Sequence, residues 1–562
     1  MSAAWLERAR AAVAALSSRR GAAALVFVAT LALHLALLPA QGLTDDDDFY
    51  APAATSYVRW LGEALTSPAT ALSTARIDAA FTPNHEHPPA AKVVMGLSQA
   101  LLHDGLGLLG ALDGARAGVS LLAALLAAVL VLLLWEPLGP LTALAAPALL
   151  LSLPRFLFHS EVATLDVPVA CAVVVVTAAF FWAEGSRRWA LACGLLFGLA
   201  LLVKVNAPFA ALPCALWALA GRWRGVRIGK DGVSLPPVPR ALVAMALFGP
   251  LLFVALWPWL WHDTFARLGA YLAFHLRHYP ILLFYDGEIW EQPFAPWHAP
   301  LVLGLGVLPA PVLVLGLLGA GRAGRALWRL VRAADERGVV PSVSAADRLR
   351  ALVVLQAVFA IGIVAFLDVP KYGGEKLFLP FFPLWCALAA DGLALVADAA
   401  KALLPRALAP VLAATLLLAA VVPGALGSAK HLGGYALSYY GELVGGLRGA
   451  VARGYERSYY DVADKELARL LDQLGSGTVA RGRRVHVEPN HKEYVRTFRW
   501  LEKDGVVGHI ELVSDRARAD VLVLTHERRW QRYPALKAEL ERLTPIGERR
   551  IDGVPLWTVY RR

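Results

Sequence analysis

An all-α polytopic membrane protein with a small external α/β domain at its C-terminal end is the fold class this sequence predicts, on three observations. Hydrophobic residues make up 57% of the 562 residues and charged residues only 17%, against about 25% charged in a soluble domain. Apolar runs of membrane-spanning length recur about eleven times. From about residue 430 the pattern changes to short strands and charged helices.

Residues 1–20 hold Arg8, Arg10, Arg19 and Arg20, and Gly21 to Ala40 is a run of about 20 apolar residues, enough to span. It exceeds the ~7–15-residue core of a cleaved signal peptide, so it reads as an uncleaved anchor with a cytoplasmic N-terminus. Asp45, Asp46, Asp47 and Asp48 then emerge on the outer side. Residues 41–115 read as one long outer loop with surface helices. Tyr50, Ala54, Tyr57 and Leu61 recur at the spacing of a helix lying along the membrane, and Val93 to Leu102 is too short to span. Further spans are expected at 117–135, 138–153, 163–183, 189–205, 207–221, 241–261, 299–319, 351–367, 377–396 and 407–427.

The basic segments carrying Arg187 and Arg188, then Arg222, Arg224, Arg227 and Lys230, then Arg322, Arg325, Arg329 and Arg332 belong on the cytoplasmic side. That leaves 41–115, 154–162, 262–298 and 368–376 outside. The expected division is a transmembrane domain at 1–429 and an external domain at 430–562. In the latter, Arg483–Glu488, Asp520–Thr525 and Pro555–Tyr560 read as strands; Lys465–Leu474, Glu493–Lys503 and Pro534–Leu543 read as helices.

The formal net charge of +10 comes from basic residues lying mostly between apolar spans. Membrane topology accounts for that placement, and a nucleic-acid partner does not. Cys171, Cys193, Cys214 and Cys386 lie within or at the ends of apolar runs, so they read as small core residues, with no disulfide or metal cluster expected. No internal repeat is visible.

The outer ends of the spans gather ionisable residues: Asp45–Asp48, Glu86 and His87 with Lys92, Arg116, Arg155 with His159 and Glu161, Asp166, Lys204 with Asn206, and Lys371 with Lys376. Carboxylates beside cations suit transfer from an anionic lipid-linked substrate. A carboxylate removes a proton from an attacking hydroxyl, and cations hold the departing phosphate. Each residue has a plainer reading. The aspartate run suits a solvated loop or a helix N-cap; Asp166 with Pro168 suits a helix start; Lys204 can snorkel; Arg116 and Lys371 can anchor at the interface. Trp257, Trp259 and Trp261 suit an interfacial belt better than a sugar platform. No metal ligands are named by spacing. Four carboxylates offer the oxygen ligands hard cations favour, so a divalent cation stays open as a cofactor, although the run lacks calcium-loop spacing.

Several stretches carry a family resemblance. Asp47-Asp48-Phe49-Tyr50 is similar to an Asp-Glu motif in a first external loop. Glu86-His87-Pro88-Pro89-Ala90-Ala91-Lys92 is similar to a His-Pro-Pro-Leu-Gly-Lys element. Arg116 precedes the second span, and Lys371 to Pro383 resembles a late motif ending Leu-Pro-x-x-Pro. Leu437 to Gly446 resembles a stretch of bacterial relatives. Over about residues 1–460 the chain resembles the GT-C membrane glycosyltransferases, in particular the protein O-mannosyltransferase-like group, glycosyltransferase family 39. The resemblance implies inverting transfer from a polyprenyl-phosphate sugar on the periplasmic face of a bacterial inner membrane. It implies Asp47 as base on the acceptor hydroxyl, followed by Asp48, with Asp45 or Asp46 also able to fill the role because the run repeats. Arg116 would bind the donor phosphate and Asp166 would line the same cavity. Lys204, Lys371 and Lys376 would be further phosphate contacts, and Glu86, His87, Lys92, Arg155 and His159 would join the substrate-binding set. The family's Glu is Asp48 here and its Leu-Gly is Ala90-Ala91. The C-terminal part does not look like the sugar-binding modules of eukaryotic mannosyltransferases.

The expected function is thus a membrane glycosyltransferase. Its partners are a polyprenyl-phosphate sugar donor, a lipid, glycan or protein acceptor, and membrane lipids. The rival is a transporter or flippase of a lipid-linked glycan. Transporters favour repeated halves and ionisable residues near mid-span, whereas these residues sit at span ends.

Overall fold

The computed structural model describes residues 18–229, 232–234, 236–277, 281–291, 295–334, 342–366, 369, 371–401, 405, 408–460, 462–475, 483–489, 491–527 and 533–562. Lys230 and residues 1–17, with Arg8 and Arg10, lie outside them.

The apolar runs fold as helices, the form that satisfies backbone polar groups within one segment where water is absent. The first is α1 (Arg19–Leu37). A two-residue strand, β1 (Leu43–Thr44), leads into α2 (Asp45–Thr66). Then come α3 (Ala90–Gln99), α4 (Ala111–Leu138), α5 (Pro140–Leu151), α6 (Pro154–His159), α7 (Asp166–Trp182), α8 (Arg187–Leu201), α9 (Ala211–Ala220) and α10 (Arg240–Ala255). A hairpin of β2 (Leu282–Tyr285) and β3 (Glu288–Glu291) precedes α11 (Ala299–Gly306), α12 (Ala310–Arg332), α13 (Ala345–Phe366), α14 (Phe381–Lys401) and α15 (Ala409–Lys430). Among the described residues, six helices are long and apolar enough to cross a membrane: α1, α4, α12, α13, α14 and α15. Several other apolar runs form shorter helices, so the runs are helical but not all of spanning length. Leu25, Val28, Leu247, Leu251, Leu317 and Leu418 stay exposed, the apolar outer surface a multi-pass membrane protein presents to lipid.

Two expectations are corrected. The run 299–319 is two helices, because Pro309 lacks an N–H and pushes Leu308 out of the helical region. Arg322, Arg325, Arg329 and Arg332 consequently ride on the far half of α12 rather than in a loop. The stripe Tyr50, Ala54 and Tyr57 on α2 is buried in protein, and a Cβ on Gly96 of α3 would lie 2.4 Å from the Ala54 carbonyl oxygen. Small residues set the helix spacing elsewhere too. A Cβ on Gly319 would meet the Leu388 carbonyl oxygen at 1.9 Å, and one on Gly392 the Leu315 oxygen at 2.1 Å, so α12 and α14 touch backbone to backbone. Asp391 of α14 ties α13 to this pair, accepting from Arg350 Nε at 2.8 Å and from Arg322 Nη1 at 3.3 Å.

After α15 the chain runs as a strap through β4 (Val462–Ala463) into α16 (Lys465–Gly475), β5 (Arg483–Glu488), α17 (His491–Lys503), β6 (Ile510–Leu512), β7 (Val521–Thr525), α18 (Pro534–Leu540), β8 (Thr544–Ile551) and β9 (Val554–Arg561). The sheet order is β8-β9-β7-β5-β6. β5 is parallel to β6 and β7; β9 is antiparallel to β7 and β8. The expected strands and helices are all present, and β6 and β8 are additions. β4 does not join this sheet. It pairs antiparallel with β1, Thr44 opposite Val462 and Leu43 opposite Ala463.

Candidate active site

Four consecutive residues in the first turn of a helix point about 100° apart, so the aspartates at the start of α2 reach four different partners. Asp45 accepts from Arg496 Nη2 of α17, with both oxygens at 3.0 Å. Asp46 pairs with Lys376 at 3.0 Å. Asp48 accepts from Trp500 Nε1 at 3.1 Å. Asp47 closes a capping box with Thr44, taking the Thr44 N–H at 2.9 Å while Thr44 Oγ1 takes the Asp47 N–H at 3.3 Å.

Asp47 and Arg116 are wholly buried against each other. Arg116 Nη2 and Nε donate to the two Asp47 oxygens at 2.7 and 3.0 Å, and the Ala163 N–H adds a contact at 2.8 Å. Arg116 also donates to the Gly42 carbonyl at 2.6 Å and to Asp113 at 3.3 Å. Both residues are engaged on every side. Asp47 and Arg116 thus spend their hydrogen bonds on each other and on the surrounding protein. Asp46, one position earlier, is the aspartate that faces open space together with Asp45.

That space is a cavity of ≈ 420 Å³ lined by Asp45, Asp46, Phe49, Tyr372, Lys376, Tyr460 and Arg496, among others. The late loop supplies Tyr372 and Lys376. The strap supplies Ser458, Tyr459 and Tyr460, held in place by the β1–β4 pairing. Lys376 sits 4.4 Å from the centre of the Tyr460 ring. Burial opposes its charge, but Asp46 and then Asp166 outweigh burial and raise its pKa, so the ammonium is firmly protonated.

Behind this wall lies a second set of charges. Lys204 pairs with Asp166. The half-buried His87 is held neutral by burial and then by Lys92, Lys204 and Lys376, and its Nδ1 has no hydrogen-bond partner. Arg155 donates from Nη1 to Glu375 at 2.6 Å and from Nε to the Tyr439 carbonyl at 2.8 Å, while its Nη2 is buried without a partner. His159 Nε2 lies 3.4 Å from the other Glu375 oxygen.

Burial alone raises the Glu375 pKa, but Arg155 and His159 overcome it and bring the carboxyl to about 2 from its usual 4.5. A lowered carboxyl pKa stabilises the fold above the unfolded value, and that stabilisation is lost as pH falls towards the folded one. Glu375→Gln is expected to cost about 3 kcal/mol at neutral pH by stranding Arg155. The gap in thermal midpoint from wild type should narrow as pH drops from 5 to 3; a gap independent of pH means the carboxylate charge is not what holds this cluster.

The remaining predicted residues have structural partners. Lys92 Nζ contacts Tyr57 Oη, the Asn84 carbonyl and Oδ1, and the His87 carbonyl at 2.5–3.0 Å, which locks the His-Pro-Pro turn. Glu86 accepts from Asn84 Nδ2 at 3.3 Å. Lys371 is buried beside the Val369 carbonyl at 3.4 Å. Trp257 and Trp259 are buried with Tyr57, Trp60 and Phe81 in a core beneath the turn, while Trp261 alone is exposed. Each carboxylate of the aspartate run already holds a protein donor: Arg496, Lys376, Arg116 and Trp500. Among the described residues, no group of three or more His, Cys, Asp or Glu is arranged to hold a metal.

Sequence reasoning missed Tyr460, Tyr459, Tyr372 and Arg496. No spacing rule ties a strap residue to a loop more than four hundred positions earlier. The signal for Asp47 was present, because Thr44-x-x-Asp47 before an apolar stretch spells a capping box.

Residues 86–257 match the family model described as dolichyl-phosphate-mannose-protein mannosyltransferase. The match spans Lys92, Arg116, Arg155, Asp166 and Lys204 and excludes the aspartate run and Lys376. No curated protein matches the chain. Among solved structures, ArnT from Cupriavidus metallidurans in the apo state is similar over 95% of this chain and 97% of that one, at 16% identity and a TM-score of 0.49. The same protein bound to undecaprenyl phosphate matches over the same shares at 16% identity and a TM-score of 0.46. The archaeal oligosaccharyltransferase AglB from Archaeoglobus fulgidus, in complex with an inhibitory peptide and a dolichol-phosphate, matches over 89% of this chain and 69% of that one, at 11% identity and a TM-score of 0.43.

Proposed function

We propose that this chain is an inverting membrane glycosyltransferase that moves a sugar from a polyprenyl-phosphate carrier to a hydroxyl-bearing lipid, glycan or protein. The observation that carries the reading is Asp46 on the wall of a cavity, paired with Lys376, in front of the buried Asp166–Lys204 pair. The Asp46 carboxylate takes the acceptor proton while the acceptor oxygen attacks the sugar C1. The bond from C1 to the phosphate oxygen breaks, and its electron pair leaves with the phosphate. Lys376 and Lys204 meet that charge, and the unpartnered Nη2 of Arg155 offers a further N–H to the anion. Asp166 holds Lys204 in line, and neutral His87 presents a free nitrogen to a sugar hydroxyl. The family-model match over 86–257 supports a lipid-phosphate donor, and the surrounding spans let an isoprenoid chain enter sideways.

In this reading the protein sits in a bacterial inner membrane with its N-terminus cytoplasmic. The transmembrane domain is 1–429, and 430–562 forms a periplasmic domain. No step is routed through a divalent cation.

Comparing glycolipids and glycoproteins of a deletion strain and its parent by mass spectrometry tests the assignment. The deletion is expected to lose one sugar increment from one product class and to accumulate the polyprenyl-phosphate sugar. Identical profiles, or an unglycosylated product restored by a carrier that only moves the donor across the membrane, reject it.

A further inference from the structure

The cavity contains one hydroxyl that packing does not require. Tyr460 lies on the strap, two residues before Val462, which pairs with Thr44 at the cap of the aspartate run. Its ring does two jobs that phenylalanine can do equally well: it sits under Lys376 at 4.4 Å and lies alongside the His159 ring at 6.4 Å, 26° between planes. The hydroxyl is different. It is buried and turned towards the Asp46 carboxylate and the Thr44 side chain, yet it completes a hydrogen bond with neither. A buried donor left short of its partners is costly, and an oxygen seated in the cavity beside Asp46 meets it.

We propose that Tyr460 is a further active-site residue whose hydroxyl hydrogen-bonds the oxygen of the acceptor. This rests on the glycosyl-transfer reading and assigns the acceptor end of the cavity to the strap. The Tyr460 O–H donates to one lone pair of the acceptor oxygen. That orients the acceptor's own O–H towards Asp46, which takes the proton, and leaves the remaining lone pair to form the bond to C1 as the bond to phosphate breaks. Tyr460 keeps its own proton throughout. Its hydroxyl takes no part at the lipid-phosphate end, where Lys376, Lys204 and Arg155 meet the anion.

The test uses full-length protein and Tyr460→Phe, which removes only the hydroxyl. Binding of undecaprenyl phosphate, followed by thermal shift of the purified protein, is expected to stay within about twofold of wild type. The initial rate of sugar-bearing product in complemented deletion cells, followed by mass spectrometry, is expected to fall about tenfold or more, the worth of one well-placed hydrogen bond. Tyr460→His, which restores a donor, is expected to recover part of the rate. A wild-type rate in Tyr460→Phe overturns the proposal. So does a matching loss of undecaprenyl phosphate affinity, which moves the hydroxyl to the donor end, or a lowered thermal midpoint with no recovery in Tyr460→His, which assigns it to folding. Absence of any sugar-bearing product with the wild-type gene rejects the transfer reading itself.

Discussion

Asp46→Asn is expected to lower sugar transfer about a thousandfold, within the range a general base contributes, with a fall in thermal midpoint smaller than that of Asp47→Asn. The substitution keeps the shape of the side chain and removes its basicity together with the charge that pairs with Lys376, which retains Asp166 nearby. Asp46 stands on a cavity wall, 15% exposed, with Lys376 as its partner, so the fold does not depend on its charge in the way it depends on Asp47. The measurement is initial product formation in complemented deletion cells, normalised to the amount of protein in the membrane. Unchanged turnover in Asp46→Asn, with loss in Asp45→Asn, moves the base to the other aspartate that faces the cavity.

Arg116→Ala is expected to act on folding rather than on donor affinity. Truncating one member of a fully buried ion pair leaves the other charge without compensation and costs about 3–5 kcal/mol. Asp47 loses two of its donors and Gly42 and Asp113 lose theirs. The expected result is a strongly lowered thermal midpoint and a reduced amount of protein in the membrane. Asp47→Asn is expected to follow the same course. Replacing both residues by leucine should cost less than the sum of the single changes, because no charge is then stranded. An Arg116→Ala protein with a wild-type midpoint and selectively weakened undecaprenyl phosphate binding returns Arg116 to the phosphate.

The first expectation takes up Asp46, an alternative the sequence left open beside Asp47, and the second departs from the phosphate role expected of Arg116; the reason is local geometry. The sequence showed four equivalent carboxylates, and resemblance to an Asp-Glu motif pointed to Asp47 with Arg116 as phosphate ligand. What separates the four is the direction each takes from the first turn of α2, which depends on where the helix starts. Thr44 fixes that start, and the Thr44-x-x-Asp47 spacing carried the information. The helical class, the break into a mixed sheet after residue 430, and the gathering of Lys204, Asp166 and Lys376 at one end of the bundle were legible from hydropathy and span ends. The split at Pro309 was legible in principle and was masked by a continuous apolar run. β6 is three residues long and β8 carries Glu548, Arg549 and Arg550, too short and too polar for an alternating pattern to mark. Tyr460 and Arg496 could not be placed, because pairing between distant segments leaves no periodic trace.

The union of β1 with β4 also bears on biogenesis. Asp45 and the residue that neutralises it are 451 positions apart, so a nascent polypeptide threads nearly all its hydrophobic segments before that neighbour leaves the ribosome. At about 5–20 residues per second the delay is tens of seconds. Throughout that interval the acid turn waits without its strand mate, and one wall of the chamber does not exist. A polypeptide cut short before Val462 lacks both that strand mate and the wall it carries.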